Sequence, residues 1–498
     1  MDKIILADVN PYQTRVALLE NSELVEYYVE RPGRERLAGN IYKGVVRNVL
    51  PGMEAAFVDI GLEKNAFLYI GDIALDSSDF EFGESSQKME PRLIRQVVRV
   101  GQELLVQVLK DPSGTKGARI TTNITLPSRL MVMMPRMEYV GVSRRIEDEG
   151  ERMRLKRVAE CMRPQNVGLI IRTAAQGVSE QELADEIPFL MDWWHSLETM
   201  EKKTTAPKEL YRDQGLAVRA FRDMFDRDVK RFVVNDRKTC EEIRVLMREQ
   251  GIAEGSLECM DGAYDLFDRF SIESDIKRTF QRKSWLKSGG YLMIDHTEAL
   301  TVIDVNTGKY VGDDNLQETI FHTNLEAAAE IARQIRLRDI GGIILIDFID
   351  METEQHKDEL LRALKEELKR DRTRTNVLGI TQLGLVEMTR KKIRQRVSAI
   401  VHSTCQVCGG SGRVLTPQSV ALEILRQYLR AKDNLTCDRL QLKVHVDVAD
   451  YLEKSGMAAE LKDVTITASR SCHVESFKLS PVTKESVAEG AMTQTLPK

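Results

Sequence analysis

Two stretches decide the fold of this chain: residues 289–308, GGYLMIDHTEALTVIDVNTG, and residues 341–351, GGIILIDFIDM. Both contain short apolar runs that end at an aspartate, a pattern typical of strands in an α/β sheet. Residues 315–339, between them, carry apolar side chains at helical spacing, and residues 354–370 read as a charged helix. The sequence therefore predicts that the chain adopts an α/β pattern from Gly289 onward.

Carboxylates stand at the ends of two of these predicted strands. Asp304 ends one and Asp347 ends the other, and Asn306 points to the same face as Asp304 if the strand continues. Ligands in open α/β sheets gather beyond the carboxyl ends of strands, and an oxygen-rich cluster there suits Mg²⁺, which can stabilise charge on a phosphate. The alternative is that these aspartates only cap strands and helices. Three further acidic residues lie nearby in sequence: Asp295, Glu298 and Asp350.

A basic segment follows these strands. Residues 361–396 contain 11 Lys and Arg against 4 Asp and Glu, although the whole chain has a net charge of −5. A nucleic-acid-binding protein that is not basic overall must gather its basic residues locally. Metal-binding acids beside a basic stretch are what a nuclease needs, whereas the charge run by itself also fits a solvated helix face.

Residues 39–122 read as five short strands with glycine breaks, which suits a small barrel such as an OB fold. Tyr42, Phe57 and Phe67 lie on these strands. Aromatic rings exposed on such a barrel stack on unpaired bases, each stack contributing roughly 1–3 kcal/mol. The alternative is that the rings belong to the barrel core. The polar stretch 71–92 is predicted to be a loop inserted in the barrel, and residues 481–498 are predicted to be disordered.

The cysteines indicate a metal knuckle rather than disulfides. Cys405 and Cys408 lie in CQVCGGSG, where two thiolates can chelate zinc, but structural zinc usually takes four ligands. Because no second Cys-x-x-Cys occurs, the missing half implies a second copy of the chain; inert thiols and a redox pair are the alternatives. The sparse, scattered cysteines favour a reduced cytoplasmic protein. The chain has no apolar run long enough for a membrane span and no signal-peptide pattern.

These motifs, in order from residue 1 to about residue 415, resemble the bacterial ribonuclease E/G family, and within it the ribonuclease G-like members without a long scaffold tail. The resemblance is carried by stretches such as NIYKGVVRNVLPGMEAAFVDIGLEKNAFL, IIRTAAQGV, GLVEMTRKKIR and CQVCGGSGRV, together with the two quoted at the outset. It implies a Mg²⁺-dependent endoribonuclease that cuts single-stranded RNA, is stimulated by a 5′-monophosphate end, and acts in RNA processing, ribosomal RNA maturation and mRNA decay.

The resemblance also implies an α/β (α+β multidomain) architecture: a DNase I-like catalytic domain, an RNase H-like part and an inserted OB-fold barrel. The implied segments are residues 1–38 and 214–280 (RNase H-like part), 39–124 (OB fold), 125–213 (5′-sensor region), 281–400 (catalytic domain), 401–415 (zinc link) and 416–498 (small C-terminal domain and tail).

Site residues carry over from the family to matching positions. Asp304 and Asp347 are the implied catalytic Mg²⁺ ligands, with Asn306 supporting them. The other implied groups are RNA contacts at Phe57 and Phe67, a basic residue beside the active site at Arg374, a 5′-phosphate sensor at Gly117, Thr121, Arg172 and Thr173, and a zinc link at Cys405 and Cys408. That link joins two protomers into a homodimer, with tetramers built from such dimers.

Two other functions compete with this interpretation. An RNA-binding scaffold with an inactive α/β domain would not need Asp304, Asn306 and Asp347, so their presence argues against it. An enzyme driven by nucleoside triphosphate would need a phosphate-binding loop of the GxxxxGK[ST] type, and the sequence contains none.

Overall fold

The computed structural model describes residues 2–33, 36–73, 93–112, 116–260, 266–308, 316–392, 394, 396–432 and 439–481. The chain divides into two compact units, residues 1–401 and residues 402–498. The predicted loop at 71–92 and the predicted disordered tail at 481–498 lie almost entirely outside the described residues. In the described ranges, every helix is too short or too polar to cross a membrane.

The described part of the chain contains both strands and helices. The strands are β1 (Lys3–Asn10), β2 (Gln13–Glu20), β3 (Glu23–Glu30), β4 (Ile41–Leu50), β5 (Ala55–Asp59), β6 (Ala66–Tyr69), β7 (Glu103–Lys110), β8 (Arg119–Thr121), β9 (Leu126–Pro127), β10 (Met131–Pro135), β11 (Val140–Val142), β12 (Val167–Ile171), β13 (Lys208–Tyr211), β14 (Val229–Val234), β15 (Leu257–Cys259), β16 (Lys283–Trp285), β17 (Tyr291–His296), β18 (Leu300–Asn306), β19 (Gly342–Asp347), β20 (Thr375–Ile380), β21 (Val386–Arg390), β22 (Leu440–Val444), β23 (Val464–Ala468) and β24 (Lys478–Pro481). The helices are α1 (Ile94–Val97), α2 (Glu149–Met162), α3 (Glu180–Lys203), α4 (Leu216–Met224), α5 (Arg237–Glu249), α6 (Leu266–Arg269), α7 (Glu273–Thr279), α8 (Leu316–Leu337), α9 (Glu354–Leu368), α10 (Val397–Val401), α11 (Pro417–Lys432) and α12 (Val446–Lys454).

The N-terminal strands form one sheet with a much later segment. Its order is β15-β14-β1-β2-β3, and β1 runs parallel to β14. Helices α4 and α5 cover one face with Phe221 and Ile243, which are fully buried. A disulfide joins Cys240 of α5 to Cys259 of β15, a cross-link that the scattered spacing of the cysteines does not predict.

A closed barrel of five strands is formed by a segment that lies in sequence between β3 and β14. Its order is β4-β5-β6-β8-β7, and β7 pairs back onto β4, which closes it. The expectation of a small five-stranded barrel is confirmed. A Cβ atom at Gly44 would lie 2.7 Å from Val58 Cγ1, so glycine is required where the barrel wall is this closely packed.

The segment after the barrel is a four-stranded sheet, β11-β12-β10-β9, flanked by α2 and α3. Helix α3 begins with a capping box in which the Ser179 hydroxyl and the Glu182 carboxylate satisfy each other's backbone N–H groups. The chain then returns to the barrel, where β13 pairs with β4.

The predicted α/β pattern is confirmed in a six-stranded sheet of order β16-β17-β18-β19-β21-β20. Strands β18 and β19 are parallel, and α8 is the crossover between them. Side chains alternate between the two faces of a strand. Residues such as Ile303 and Ile344 are fully buried in the core that also contains side chains of α8 and α9.

The opposite face of this sheet carries Asp304, Asn306 and Asp347, and it is called the open face below. Its side chains are partly or largely solvent-accessible; Trp285 on β16 is 59% exposed and Ile343 on β19 is 50% exposed. Since the helices cover the other side, a ligand of this sheet has access to the carboxylates only from the open face.

A buried charge cluster fastens α8 to the N-terminal sheet. Arg336 of α8 donates to Glu20 (2.7 Å) and Glu26 (2.9 Å) of β2 and β3, and each of the three residues is at most 7% exposed. Burial alone raises the pKa of Glu26, but the charges of Arg372 and Arg336 outweigh burial and lower that pKa to about 2. Both glutamates thus accept hydrogen bonds from one buried guanidinium, and Glu26 also has Arg372 at 4.0 Å and the Tyr28 hydroxyl.

We expect Arg336→Ala to lower the free energy of unfolding by about 3–5 kcal/mol, because it removes the guanidinium that is hydrogen-bonded to two buried carboxylates. Urea denaturation would measure the loss. The matched control is Arg278→Ala, since the Arg278 side chain is 70% exposed and pairs only at the surface with Asp275; it should change stability by less than about 1 kcal/mol. Similar losses for both variants would contradict this account of the cluster.

The second unit is a small α+β fold. Strand β22 pairs in parallel with β23 and antiparallel with β24, and α11 and α12 pack on this sheet. Its core includes Leu442, Ile424 and Leu452, which are fully buried. The Cys405–Cys408 knuckle precedes α11 in this unit.

Candidate active site

The two predicted catalytic aspartates are register partners on neighbouring parallel strands. Asp304 of β18 pairs with Asp347 of β19. Adjacent strands lie about 5 Å apart, and directly paired residues point to the same face. The fold thus brings together two carboxylates that are far apart in sequence, and it presents both on the open face.

Asn306 lies on the same face of β18 as Asp304 and contacts its carboxylate. Its Nδ2 donates a hydrogen bond of 2.8 Å to Asp304 Oδ2, which fixes the orientation of that carboxylate. Partial burial raises the pKa of Asp347, and the charges of Asp304 and Asp350 raise it further. Carboxylates that repel one another in this way are an environment that a bound cation stabilises. The donor set of carboxylate and amide oxygens fits Mg²⁺.

Of the three further acidic residues near these strands, only Asp350 acts on the pair. Asp295 is held by an ion pair with Arg282, and Glu298 lies in the connection between β17 and β18, at the end remote from Asn306. Within the part of the chain that the structure describes, no group of three or more His, Cys, Asp or Glu side chains could hold a metal ion. A cation here would complete its shell with water and phosphate oxygens, as Mg²⁺ commonly does.

Arg374 lies elsewhere than its predicted position beside the active site. It directly precedes β20, whose first residue, Thr375, aligns through Arg390 with Gly342 at the start of β19. Asp347 is at the other end of β19, so the Arg374 backbone is about 16 Å along the strands from the carboxylates. The motif gives only the position of Arg374 in the sequence. The antiparallel pairing of β20 with β21, and of β21 with β19, decides at which end of the sheet Arg374 lies.

The barrel aromatics separate into one core residue and one surface pair. Tyr42 is 3% exposed, and its hydroxyl donates to Glu209, so for this ring the core alternative is the right one. Phe57 and Phe67 are direct partners on β5 and β6, with ring centroids 6.0 Å apart. Both alternate with buried residues and are partly exposed, so they form a pair on the outer wall of the barrel.

Gly117 precedes β8 and Thr121 ends it, and each faces other protein groups of the barrel. A Cβ atom at Gly117 would lie 2.1 Å from the Asn65 carbonyl oxygen, so this glycine allows close backbone packing within the barrel. Thr121 is 3% exposed, and its hydroxyl donates to the Asp72 carbonyl. The barrel's own packing therefore accounts for both residue types.

Arg172 and Thr173 directly follow β12, and both side chains have partners. The Arg172 guanidinium donates to the Ser128 carbonyl (2.7 Å) and to Asp223 Oδ1 (3.0 Å). The Thr173 hydroxyl lies 2.9 Å from the Ser143 hydroxyl. In the structure Arg172 thus forms an ion pair with an acidic residue. Asp223 is remote in sequence, and no local pattern indicates the pairing.

The knuckle in the second unit has the geometry expected of a thiolate pair. Backbone N–H groups of Gly412 and Gly410, together with Cys405, lower the pKa of the Cys408 thiol. The Gly412 N–H lies 3.4 Å from Cys408 Sγ. The turn needs glycine, because Gly410 has φ +94° and Gly412 has φ +71°. The chemistry of two such thiols fits half of a structural zinc site.

The sequence analysis passed over another group on the open face. Lys283 and Trp285 of β16 lie beside Tyr291 of β17, and the Lys283 ammonium contacts both rings. The period-two spacing of residues 283 and 285 is the only sequence pattern that indicates a shared face, and it gives no information about the partner strand.

Comparison with known proteins agrees with this arrangement. The profile of the "Ribonuclease E/G family" matches residues 125–393, and that of the "RNase E/G, Thioredoxin-like domain" matches residues 404–475. The chain is 46% identical to ribonuclease G of Escherichia coli K12 over 462 residues, which is 92% of this chain and 94% of that protein. It is 42% identical to ribonuclease G of Haemophilus influenzae over 467 residues, 93% of this chain and 95% of that protein.

Similarity to ribonuclease E is lower. The chain is 35% identical to ribonuclease E of Escherichia coli K12 over 455 residues, 91% of this chain but only 42% of that protein. The expectation that ribonuclease G is the better match is therefore confirmed. With a profile match over more than half its length and relatives this similar, the chain belongs to the ribonuclease E/G family.

Proposed function

We propose that this chain is a Mg²⁺-dependent endoribonuclease that cuts single-stranded RNA. The observation that carries the proposal is the register pairing of Asp304 with Asp347 on a solvent-accessible sheet face. The family relationship supports it, since the relatives are named as ribonucleases. Incubation of the purified protein with one oligoribonucleotide, single-stranded or annealed to its complement, with and without Mg²⁺, tests it. Cleavage without added metal in the presence of a chelator would contradict it.

In the proposed mechanism Asp304 and Asp347 would hold the ion, and Asn306 keeps the Asp304 carboxylate oriented through its 2.8 Å hydrogen bond. Bound there, Mg²⁺ would stabilise negative charge that develops on the scissile phosphate. Asp350 adds negative charge to the same site. The helices behind the sheet keep β18 and β19 rigid, so the two carboxylates need no rearrangement to receive the ion.

RNA binding outside the active site is proposed for the barrel. Phe57 and Phe67 offer two adjacent, partly exposed rings on which unpaired bases can stack. Phe67 is also the register partner of Arg119 on β8, which brings a guanidinium to the same strip of the barrel. Stacking needs unpaired bases, which agrees with a preference for single strands.

Stimulation by a 5′-monophosphate is proposed to involve Arg172 and Thr173, with Gly117 and Thr121 shaping the adjoining barrel. The Arg172 guanidinium has five N–H donors and can grip a phosphate bidentately. Because Asp223 now accepts from Arg172, a terminal phosphate would have to share or replace that contact. Arg145 donates to the Asp371 carbonyl and connects this region with the segment before β20.

We expect RNA with a 5′-monophosphate to be cut about tenfold faster than the same RNA with a 5′-triphosphate or 5′-hydroxyl, and Arg172→Ala to remove most of that difference. A charge-assisted hydrogen bond to phosphate contributes roughly 1.5–3 kcal/mol, which is about 10- to 150-fold. Paired initial rates on one oligonucleotide with three 5′ ends measure both effects.

Arg136→Ala is the matched control for Arg172→Ala, since the Arg136 side chain is 60% exposed and contacts Glu198, Glu201 and the Trp194 ring. It should leave the preference unchanged. Equal rates for all three ends with the wild-type protein would remove the sensor from this proposal while leaving the endoribonuclease itself intact.

Assembly and cellular role are proposed on the family relationship. Cys405 and Cys408 would bind zinc together with the same pair from a partner, which gives a homodimer and, from dimers, a tetramer. RNA processing, including ribosomal RNA maturation, and mRNA decay in the cytoplasm are the proposed roles.

A further inference from the structure

Three side chains form a cation–aromatic group on the open face. The Lys283 ammonium lies 3.7 Å from the Trp285 ring centroid and 3.6 Å from the Tyr291 ring centroid. The two rings are 5.5 Å apart with an interplanar angle of 65°. Among the residues that the structure describes, Lys283 forms no ion pair, and its ammonium contacts the two rings. This group is called the aromatic platform.

Strand register aligns the platform with the carboxylates. Trp285 pairs with Tyr291, and Tyr291 pairs with Asn306. Two residues further along the same strands, Lys283 pairs with Met293, and Met293 pairs with Asp304. Since paired residues share a face, the platform lies on the open face about two strand spacings, or roughly 10 Å, from Asn306 and Asp304.

The exposure of the platform is not explained by packing. Trp285 is 59% exposed, whereas its neighbours Ser284 and Leu286 point the other way, Ser284 to Glu330 of α8 and Leu286 into the core. The ammonium covers one side of the Trp285 ring, and the exposed area leaves the other side accessible. Tyr291 is fixed from below, because Gly308 packs so closely on its ring that a Cβ there would be 3.3 Å from it.

We propose that the aromatic platform binds the nucleotide next to the scissile phosphate, with its base stacked on Trp285 and a backbone phosphate near the Lys283 ammonium. The inference rests on the proposed endoribonuclease function and adds a subsite to it. The Lys283 ammonium, held between two rings, can attract a phosphate, and the exposed Trp285 indole can stack on a base. Both side chains lie in register with the carboxylate strands.

Abasic scanning tests the subsite. In a single-stranded oligonucleotide with one cleavage site, each nucleotide flanking the scissile bond is replaced in turn by an abasic residue, and kcat/KM is measured. We expect one flanking position to show a drop of about tenfold, the size of one lost stack. In Trp285→Ala that position should lose its effect while the other positions keep theirs, and Trp285→Phe should restore most of the effect.

Matched variants separate stacking from structure. Tyr12→Ala removes a ring that is 83% exposed at a remote turn and should leave the abasic profile unchanged. Lys283→Met keeps the chain length without the charge, and it should weaken binding to all substrates alike and reduce the salt dependence by about one ion. A Trp285→Ala profile identical to the wild type would overturn the proposal. Equal slowing on every substrate with a lower melting temperature, or a changed oligomeric state with an unchanged profile, would also overturn it.

Binding without cleavage keeps this test independent of the proposed activity. In the presence of a chelator, the same oligonucleotide should quench tryptophan fluorescence, and Trp285→Phe should abolish the quenching, because Trp194 is 6% exposed and Trp193 packs against the core around α3. Quenching without cleavage in Mg²⁺ would refute the nuclease and keep the subsite. Cleavage without Trp285-dependent quenching would support the nuclease and refute the subsite.

Discussion

Asp304→Asn or Asp347→Asn is expected to slow RNA cleavage by about a thousandfold or more, while RNA binding changes by less than about twofold. Each substitution removes one negative ligand from a pair of register partners and leaves the barrel and the aromatic platform untouched. Metal stabilisation of a phosphate transition state contributes several kcal/mol, and about 4 kcal/mol corresponds to a thousandfold change in rate. Single-turnover rates at saturating Mg²⁺ and fluorescence anisotropy of a labelled oligonucleotide measure the two quantities.

Asp295→Asn is the matched control for these substitutions. Asp295 is on the neighbouring strand β17, but its carboxylate is already held by Arg282, so its rate should stay within about threefold of wild type. In the presence of a chelator, Asp347→Asn should melt at the same temperature as the wild type or higher, because it relieves repulsion from Asp304 and Asp350. Near wild-type turnover of either catalytic variant would refute the metal site.

The strand-end carboxylates were predictable because they depend on local pattern. Alternation along LTVIDVN places Asp304 and Asn306 on one face, and the apolar run before Asp347 marks the neighbouring strand. What the pattern could not give is the register, since parallel pairing of β18 with β19 is set by the crossover of α8 over the sheet. The hydrogen bond between Asn306 and Asp304 follows from that local alternation.

Contacts between distant segments were the part that sequence could not give. Arg374 was expected at the active site, but the reversal of β20 and β21 carries it to the other end of the sheet. Gly117 was expected in a 5′-phosphate sensor, and in the structure the Asn65 carbonyl lies against it. Asp223 as the partner of Arg172, and Tyr291 as the neighbour of Trp285, likewise depend on strands and helices whose pairing no local period reveals.

The knuckle poses a question about where its missing ligands come from. A structural zinc takes four ligands, and the described residues of one chain place only Cys405 and Cys408 at the turn. His473 lies beside the knuckle, with Nε2 2.7 Å from the Val407 carbonyl oxygen, and Cys472 precedes His473 in sequence. In the described residues these side chains do not form a group of three or more that could hold a metal ion. A site completed within one chain would use these two, whereas a shared site would use the partner's knuckle.

Cys405→Ala combined with Cys408→Ala is expected to abolish zinc binding and to reduce the protein to a lower oligomeric state. Thiolate-bound structural zinc contributes on the order of 10 kcal/mol, so a site shared by two chains would dominate their association. Light scattering with metal analysis should find about one zinc per two chains in the wild type, as four thiolates per ion require, and no zinc in the double variant. Cys161→Ala removes an exposed thiol in α2 of the first unit and should change neither quantity.

Cys472→Ala and His473→Ala decide between the two ligand sources, because a shared Cys₄ site keeps its zinc in both. One zinc per chain in a monomer, lost on replacing Cys472 or His473, would refute the zinc link and place the whole site within a single chain.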